Sequence, residues 1–149
     1  MNELQELYRD VILDHNRRPR NFGELADADR VIEGVNPLCG DKMTLYVKLA
    51  NGTVTDIRFK GTGCAISVAS SSLMTERVKG ATIAATLELF SKMHDMLTGA
   101  EQEPPEDLDK LAALAGVRDY PTRVKCASLA WHALKAALAG NDGRVSTEA

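Results

Sequence analysis

The sequence predicts a single α+β domain with three short strands and about five helices. Apolar residues recur at helical spacing near the N-terminus and in the C-terminal half, while strict alternation around a turn signal occupies residues 42–60. At 149 residues, the chain fits one domain that can bury a core without disulfide bonds. We expect this domain to span residues 1–140 and the segment 141–149 to be a disordered tail.

The first two elements follow from local signals. Apolar residues at helical spacing predict an amphipathic helix over residues 4–17, with Asn2 as its cap and Pro19 just beyond its end. A short strand is predicted over residues 29–35, and Pro37 limits its length because proline interrupts an extended run.

A β-hairpin is predicted next, with strands over residues 42–49 and 53–60 around Asn51-Gly52. A three-residue turn that includes Ala50 would place Leu45 opposite Ile57 and keep the apolar side chains on one face. A two-residue turn would place Leu45 opposite a charged residue, so we favour the longer turn.

The hairpin register bears on two cysteines that lie just beyond its strands. If the pairing continued, the favoured register would place Cys39 opposite Gly63, beside Cys64, and the other register would place Cys39 opposite Cys64 itself. Opposed residues lie about 4.5 to 5.5 Å apart at Cα, a separation that allows two thiolates to bind one metal ion.

Four helices are expected in the second half. The first begins just after Cys64, and the others are bounded by capping residues, glycine and proline. The second helix is expected over residues 82–97, before Gly99, and the third over residues 107–114, before Gly116. The fourth is a long final helix from the cap Thr122 to Gly140.

Composition excludes several classes of function. The net charge of −3 and the aromatic content of 5% argue against a nucleic-acid partner. The most apolar long stretch, residues 126–139, is too short and too polar to predict a membrane span. An odd number of cysteines and a polar N-terminus predict a reducing compartment, which we take to be the cytoplasm.

The three cysteines and one carboxylate are the candidate metal ligands: Cys39, Asp41, Cys64 and Cys126. Thiolates are preferred ligands of zinc and iron–sulfur centres, and a nearby carboxylate would complete a tetrahedral set. Gly40 gives the backbone freedom for two ligands on one loop to turn the same way. Nothing in the sequence alone shows that the start of the last helix packs near the hairpin, and a lone buried cysteine is often a core residue.

The three histidines are weaker candidates. His15 continues the apolar face of the first helix, and His94 lies beside an aspartate on a helix. His132 lies about 240° around the last helix from Cys126, so the two side chains cannot point at one site.

Four segments together resemble a known family: residues 7–23, 36–41, 61–67 and 125–130. They are similar to the IscU/SufU iron–sulfur cluster assembly proteins, the family of the NifU N-terminal domain, and the similarity runs from about residue 4 to 139. Lys125 stands where IscU-type members carry a histidine, and residues 98–118 look like the insertion of the SufU branch. The resemblance therefore favours SufU over IscU.

This resemblance implies an IscU-like fold, a three-stranded antiparallel sheet packed against a layer of about five helices. It implies a zinc site formed by Cys39, Asp41, Cys64 and Cys126. It also implies that Cys39 accepts persulfide sulfur from a SufS-type cysteine desulfurase, after a partner histidine replaces it among the ligands. The protein would be a sulfurtransferase-like carrier that acts with the desulfurase and passes sulfur to a downstream scaffold or acceptor. Arg123 and Lys125 would steer the partner, balance the anionic site or simply form a solvated first turn.

Three alternatives remain. The same ligands could build a [2Fe–2S] cluster in an IscU-type scaffold, with iron in place of zinc. A purely structural zinc module is less favoured, because closed structural sites use Cys and His ligands. A cysteine hydrolase would need a positioned base, and the sequence offers none.

Overall fold

The computed structural model describes residues 3–37, 40–98, 106–117, 120–140 and 143–146. Its elements in chain order are α1 (Glu3–Arg17), β1 (Arg30–Asn36), β2 (Asp41–Ala50), β3 (Thr53–Thr62), α2 (Ala65–Val78), α3 (Ile83–Leu97), a 3₁₀ segment (Glu106–Val117), α4 (Pro121–Leu138) and β4 (Gly143–Ser146).

The strands form one sheet in the order β3-β2-β1-β4. The pairs β1–β2 and β2–β3 are antiparallel. These three strands and the five helical segments confirm the predicted fold class. The structure differs from expectation in the predicted tail, where residues 143–146 form β4 and pair parallel with β1. β4 occupies an edge of β1 whose backbone N–H and C=O groups would otherwise be unpaired.

The β2–β3 turn is shorter than the favoured prediction. Ala50 pairs with Thr53, so only Asn51 and Gly52 lie in the turn. Both turn residues have positive φ, 53° and 72°, as a type I′ turn requires. The three-residue turn was therefore wrong.

Because of a shift in the β2–β3 ladder, the observed register differs from both predicted registers. The irregularity lies just after Lys48, and beyond it Leu45 faces Phe59. Val54 and Ile57 are both fully buried although they lie three positions apart. A strand that alternates strictly cannot bury both, so one extra residue restores the apolar face.

Local capping predictions were partly confirmed. α1 ends at Arg17 as expected, whereas Asn2 and Gly99 lie outside the described residues. α4 begins at Pro121, and the expected cap Thr122 is inside the helix, because proline is favoured at the first helical position.

The short helix predicted over residues 107–114 is a longer 3₁₀ segment. It continues past Gly116 and contains a kink at Asp109, whose φ is 49°. Leu108, Leu111 and Leu114 are buried, which explains the apolar spacing that predicted a helix.

The helices α2 and α4 pack together beneath the sheet through small side chains. Ser70, Ser71 and Ser72 of α2 are at most 1% exposed. Ser70 Oγ donates to Ala127 O and accepts a hydrogen bond from Trp131 Nε1 at 3.1 Å. The serine-rich stretch is therefore interior packing with satisfied hydroxyl groups rather than a solvated face.

Close approach between α4 and β1 fixes where the start of α4 lies. A Cβ on Gly34 of β1 would be 3.2 Å from Leu129 Cδ1. Glycine at this position therefore lets the helix lie against the strand.

Candidate metal centre

Asp41, the first residue of β2, is a buried carboxylate that is 1% exposed. Its Oδ1 accepts a hydrogen bond from the Cys64 backbone N–H at 2.9 Å, and its Oδ2 lies 3.4 Å from Asn36 Nδ2. A Cβ on Gly63 would lie 2.7 Å from Oδ1. Glycine at position 63 thus leaves the space in which the carboxylate lies.

The hairpin ladder brings Asp41 beside Cys64. The ladder pairs Lys42 with Thr62, and one further step places Asp41 opposite Gly63. The predicted register placed Cys39 there, and that register is wrong. Cys39 itself lies outside the described residues.

Cys64 lies at the N-terminal boundary of α2. Its backbone is extended, with φ −71° and ψ 166°, and its Sγ accepts a hydrogen bond from Ser67 N–H at 3.4 Å. The thiol takes the capping position that serine, threonine, aspartate or asparagine usually fills. Cap geometry therefore fixes the sulfur at the helix start, beside the carboxylate.

Cys126 comes from a different element, the second turn of α4. It is 1% exposed, and its Sγ lies 3.6 Å from Asn36 Nδ2. The same amide group contacts Asp41, so Asn36 joins the carboxylate to the helix cysteine. Asn36 is not among the site residues predicted from the sequence, and its position at the start of the segment 36–41, directly before a proline, is the signal that could have indicated it.

The ligand atoms of Asp41, Cys64 and Cys126 lie within 4.8 Å of one another. Zinc binds thiolate sulfur at about 2.3 Å, so two sulfurs around one tetrahedral ion lie about 3.8 Å apart. Contraction by about 1 Å or less would bring these donors to zinc-binding distance. Two thiols and a carboxylate also match the ligand types that zinc accepts, so the residues fit the ion.

The loop before Asp41 is closed by its own backbone. Gly40 N–H donates to Asn36 O at 2.9 Å, and Gly40 has a φ of 73°. This left-handed conformation favours glycine and turns the chain directly into β2. The prediction that Gly40 supplies the turn at this point is confirmed.

Comparison with known proteins identifies the family. The model of the NifU-like N terminal domain matches residues 7–127. The zinc-dependent sulfurtransferase SufU of Bacillus subtilis is 44% identical over 94% of this chain and 95% of its own length. The iron–sulfur cluster assembly scaffold protein IscU of Streptococcus pyogenes is 41% identical over 93% of this chain and 86% of its own.

The chain belongs to the NifU-like N-terminal domain family. This confirms the resemblance to IscU and SufU proteins that the sequence motifs indicated. The chain is also similar to a crystal structure of a SUF-system iron–sulfur cluster assembly scaffold protein from Fervidobacterium islandicum. The two align over 90% of this chain and 98% of that protein's chain, with 35% sequence identity and a TM-score of 0.82.

The match to the NifU-like family includes all four predicted ligand positions, and it ends one residue after Cys126. The structure brings three of the four together, and the fourth, Cys39, lies outside the described residues. Metal binding by this set stays a prediction.

The two basic residues singled out from the sequence lie at the start of α4. Arg123 is exposed and Lys125 is half-buried, three residues and one residue before Cys126. Tyr120, directly before the helix, is 63% exposed. The surface beside Cys126 thus presents two cationic side chains and an aromatic ring.

None of the three histidines is part of the cluster. His15 is 1% exposed, and its Nδ1 lies 2.7 Å from Ser72 Oγ. Burial, with a smaller effect from the Arg20 charge, lowers the pKa of His15. His132 packs edge-on against Phe90, and burial lowers its pKa as well.

Among the described residues, no helix combines the length and apolar character that crossing a bilayer requires.

Proposed function

We propose that this protein is an iron–sulfur cluster assembly protein of the SufU type, which accepts persulfide sulfur from a cysteine desulfurase on Cys39. The proposed zinc ligands are Cys39, Asp41, Cys64 and Cys126. The observation that carries the proposal is the convergence of the ligand atoms of Asp41, Cys64 and Cys126 within 4.8 Å. These atoms come from a strand, a helix start and a separate helix, and two thiols with a carboxylate are a donor set that zinc accepts.

Covalent connectivity supports Cys39 as the remaining ligand and sulfur acceptor. It is two residues from Asp41, so their Cα atoms are at most about 7.6 Å apart. The neighbouring Gly40 is exposed, whereas Cys126 is buried. A cysteine that must meet a partner's persulfide needs access, which Cys126 lacks.

Sulfur transfer to Cys39 would be a thiol–disulfide-type exchange. The Cys39 thiolate attacks the outer sulfur of the desulfurase persulfide and forms a new S–S bond. The S–S bond of the donor breaks, and its electron pair leaves on the desulfurase cysteine as a thiolate. No external oxidant or reductant is needed.

The remaining residues would stay in place during this exchange. Zinc, when bound, holds its cysteine ligands as thiolates, which is the form that attacks sulfur. Asp41 keeps its orientation through the Cys64 N–H bond, and Cys126 keeps its position on the buried face of α4. If a partner histidine takes the place of Cys39, three ligands of this chain therefore remain ordered.

A second candidate is an IscU-type scaffold that assembles a [2Fe–2S] cluster on the same residues. The similarity to the streptococcal protein named as an IscU scaffold, at 41% identity, favours this alternative. Lys125, where IscU-type members carry histidine, favours sulfur transfer, because the site then holds only thiolates and one carboxylate.

The deciding experiment combines metal analysis of the purified protein with turnover of a SufS-type desulfurase in its presence and absence. We expect one zinc per chain, stimulated turnover, and no stimulation by a Cys39→Ala variant. Pro37→Ala is the matched control, because this exposed residue of the same loop has no metal-binding side chain. It should stimulate normally.

Each other outcome selects an alternative. Iron with acid-labile sulfide and no zinc would indicate the scaffold. Zinc without stimulation would indicate a structural zinc module. If the protein binds no metal and does not stimulate the desulfurase, both leading functions are excluded. A role in the cytoplasm fits all of them, because thiols stay reduced there.

A further inference from the structure

Asn36, the last residue of β1, is 0% exposed and lies against the ligand cluster. It pairs with Asp41 in the β1–β2 ladder. Its Nδ2 lies 3.4 Å from Asp41 Oδ2 and 3.6 Å from Cys126 Sγ. One amide nitrogen therefore contacts two proposed ligands that come from different parts of the fold.

Chemistry fixes the orientation of this amide. An ionised carboxylate and a thiolate only accept hydrogen bonds, so the NH₂ group of Asn36 must face Asp41 and Cys126. The opposite orientation would bring the Asn36 carbonyl oxygen against two anionic atoms. The observed orientation leaves Asn36 Oδ1 buried with no hydrogen-bond donor among the described residues.

A buried acceptor without a donor destabilises a folded chain. An apolar residue of the same size would avoid this cost in the apoprotein. The amide nevertheless makes two contacts, and both are to proposed ligands. This combination points to a role in the site rather than in folding.

We propose that Asn36 is the positioning residue that holds Asp41 and Cys126 in their ligand geometry. The Cys64 N–H bond fixes only Oδ1 of Asp41, and a carboxylate held at one oxygen can still rotate. Asn36 restrains the other oxygen and places a donor against the Cys126 sulfur. The inference rests on the proposed function, because it assumes that these residues bind a metal ion.

The test compares Asn36→Leu with the wild type. Leucine has the same branched arrangement of side-chain heavy atoms as asparagine, with a larger volume, and has neither the donor nor the orphaned acceptor. In the chelator-treated variant, the loss of the orphaned acceptor offsets the cost of the larger side chain, so we expect a melting temperature within a few degrees of the wild type. We expect this variant to bind zinc about tenfold or more weakly, in competition with a chromogenic chelator. Cobalt substitution gives a second readout, since a displaced carboxylate or thiolate changes the absorption bands of tetrahedral cobalt.

Two further variants keep the test decisive. Asn36→Ala removes the same contacts and replaces the leucine variant if that variant does not fold. Thr86→Ala is the matched control: Thr86 is 1% exposed and donates one hydrogen bond to Thr82 O at 2.8 Å. It lies one turn into α3, whose cap Thr82 bridges to Thr53 directly after the β2–β3 turn, at the opposite end of the hairpin from Asp41. Its loss should leave zinc affinity and the cobalt spectrum unchanged.

The outcomes separate this inference from the proposed function. If the wild type binds neither zinc nor cobalt, the proposed function fails and the inference fails with it. If the wild type binds zinc and Asn36→Leu binds it equally well with the same cobalt spectrum, only the inference is overturned. If neither Asn36 variant folds, Asn36 has a structural role, which overturns the inference as well.

Discussion

Substitution of Gly63 by alanine should damage the ligand cluster more than the fold. Gly63 does not have a positive φ, so its backbone accepts alanine without strain. The added Cβ, however, would lie 2.7 Å from Asp41 Oδ1 and 3.3 Å from Asp41 Cβ. Asp41 is buried and cannot swing into solvent. The added Cβ must therefore displace Asp41, which is one of the proposed ligands.

The size of the effect follows from this contact. Carbon and oxygen atoms rarely approach closer than about 3.3 Å, so Oδ1 must move by roughly 0.6 Å. This movement weakens the 2.9 Å hydrogen bond from Cys64 N–H, and a hydrogen bond to a charged group contributes about 1.5–3 kcal/mol. We expect the apoprotein to lose about 1–3 kcal/mol of unfolding free energy. Zinc affinity should fall about 10- to 100-fold, as for other disturbed supports of metal ligands.

Two measurements separate these effects: zinc affinity by chelator competition, and thermal melting of the metal-free protein. For a chain of this length, each kcal/mol lowers Tm by roughly 2–4 °C. Gly116→Ala is the control, because a Cβ there meets nothing within 4 Å. Unchanged zinc affinity in Gly63→Ala would show that Oδ1 of Asp41 does not need its observed position.

Three further perturbations test other parts of the structure. Gly61→Ala should destabilise the metal-free protein by about 3 kcal/mol or more, because its Cβ would collide with the backbone oxygen of Lys42 and its φ is 152°. A urea denaturation midpoint near that of the wild type would contradict the β2–β3 register. Burial lowers the pKa of His15 below its usual 6.5, so the unfolded chain binds a proton more readily and stability should fall as the pH drops below 6.5. His15→Asn, which can keep a bond to Ser72, should lose less stability between about pH 7.5 and 5.5 in urea titrations, and an equal loss would assign the pH dependence to other groups. Replacing Arg123 and Lys125 by glutamate should raise the concentration needed for half-maximal desulfurase stimulation and leave zinc content unchanged, whereas an unchanged concentration would place docking elsewhere.

The hairpin shows what local sequence patterns can and cannot predict. The two strands and the position of the turn between them were predicted, because alternation and Asn51-Gly52 are local signals. The register was wrong because the apolar side chains can be kept on one face in more than one way. The spacing of Val54 and Ile57 already required an extra residue in β3, yet the bulge also permits a two-residue turn. The shorter turn and the extra residue in β3 each move the register by one residue, and together they place Asp41 instead of Cys39 opposite Gly63.

β4 could not be predicted for a different reason. Its pairing partner, β1, lies more than 100 residues earlier in the chain. Four residues without marked alternation carry no strand signal of their own, and the open edge of β1 supplies the hydrogen bonds. Strand formation at this position is a property of the sheet rather than of the segment.

The position of Cys126 in the cluster follows from packing between distant elements. Gly34 and Asn36 lie two residues apart on β1 and share its buried face, while Leu129 and Cys126 lie three residues apart on α4 and share a helix face. Because Leu129 packs against Gly34, Cys126 must lie over Asn36. The sequence contained each of these residues but no signal that α4 crosses β1, so only the family resemblance placed Cys126 among the ligands. The sheet places Asp41 beside Cys64, so one ligand position depends on strand register while that of Cys126 depends on helix packing.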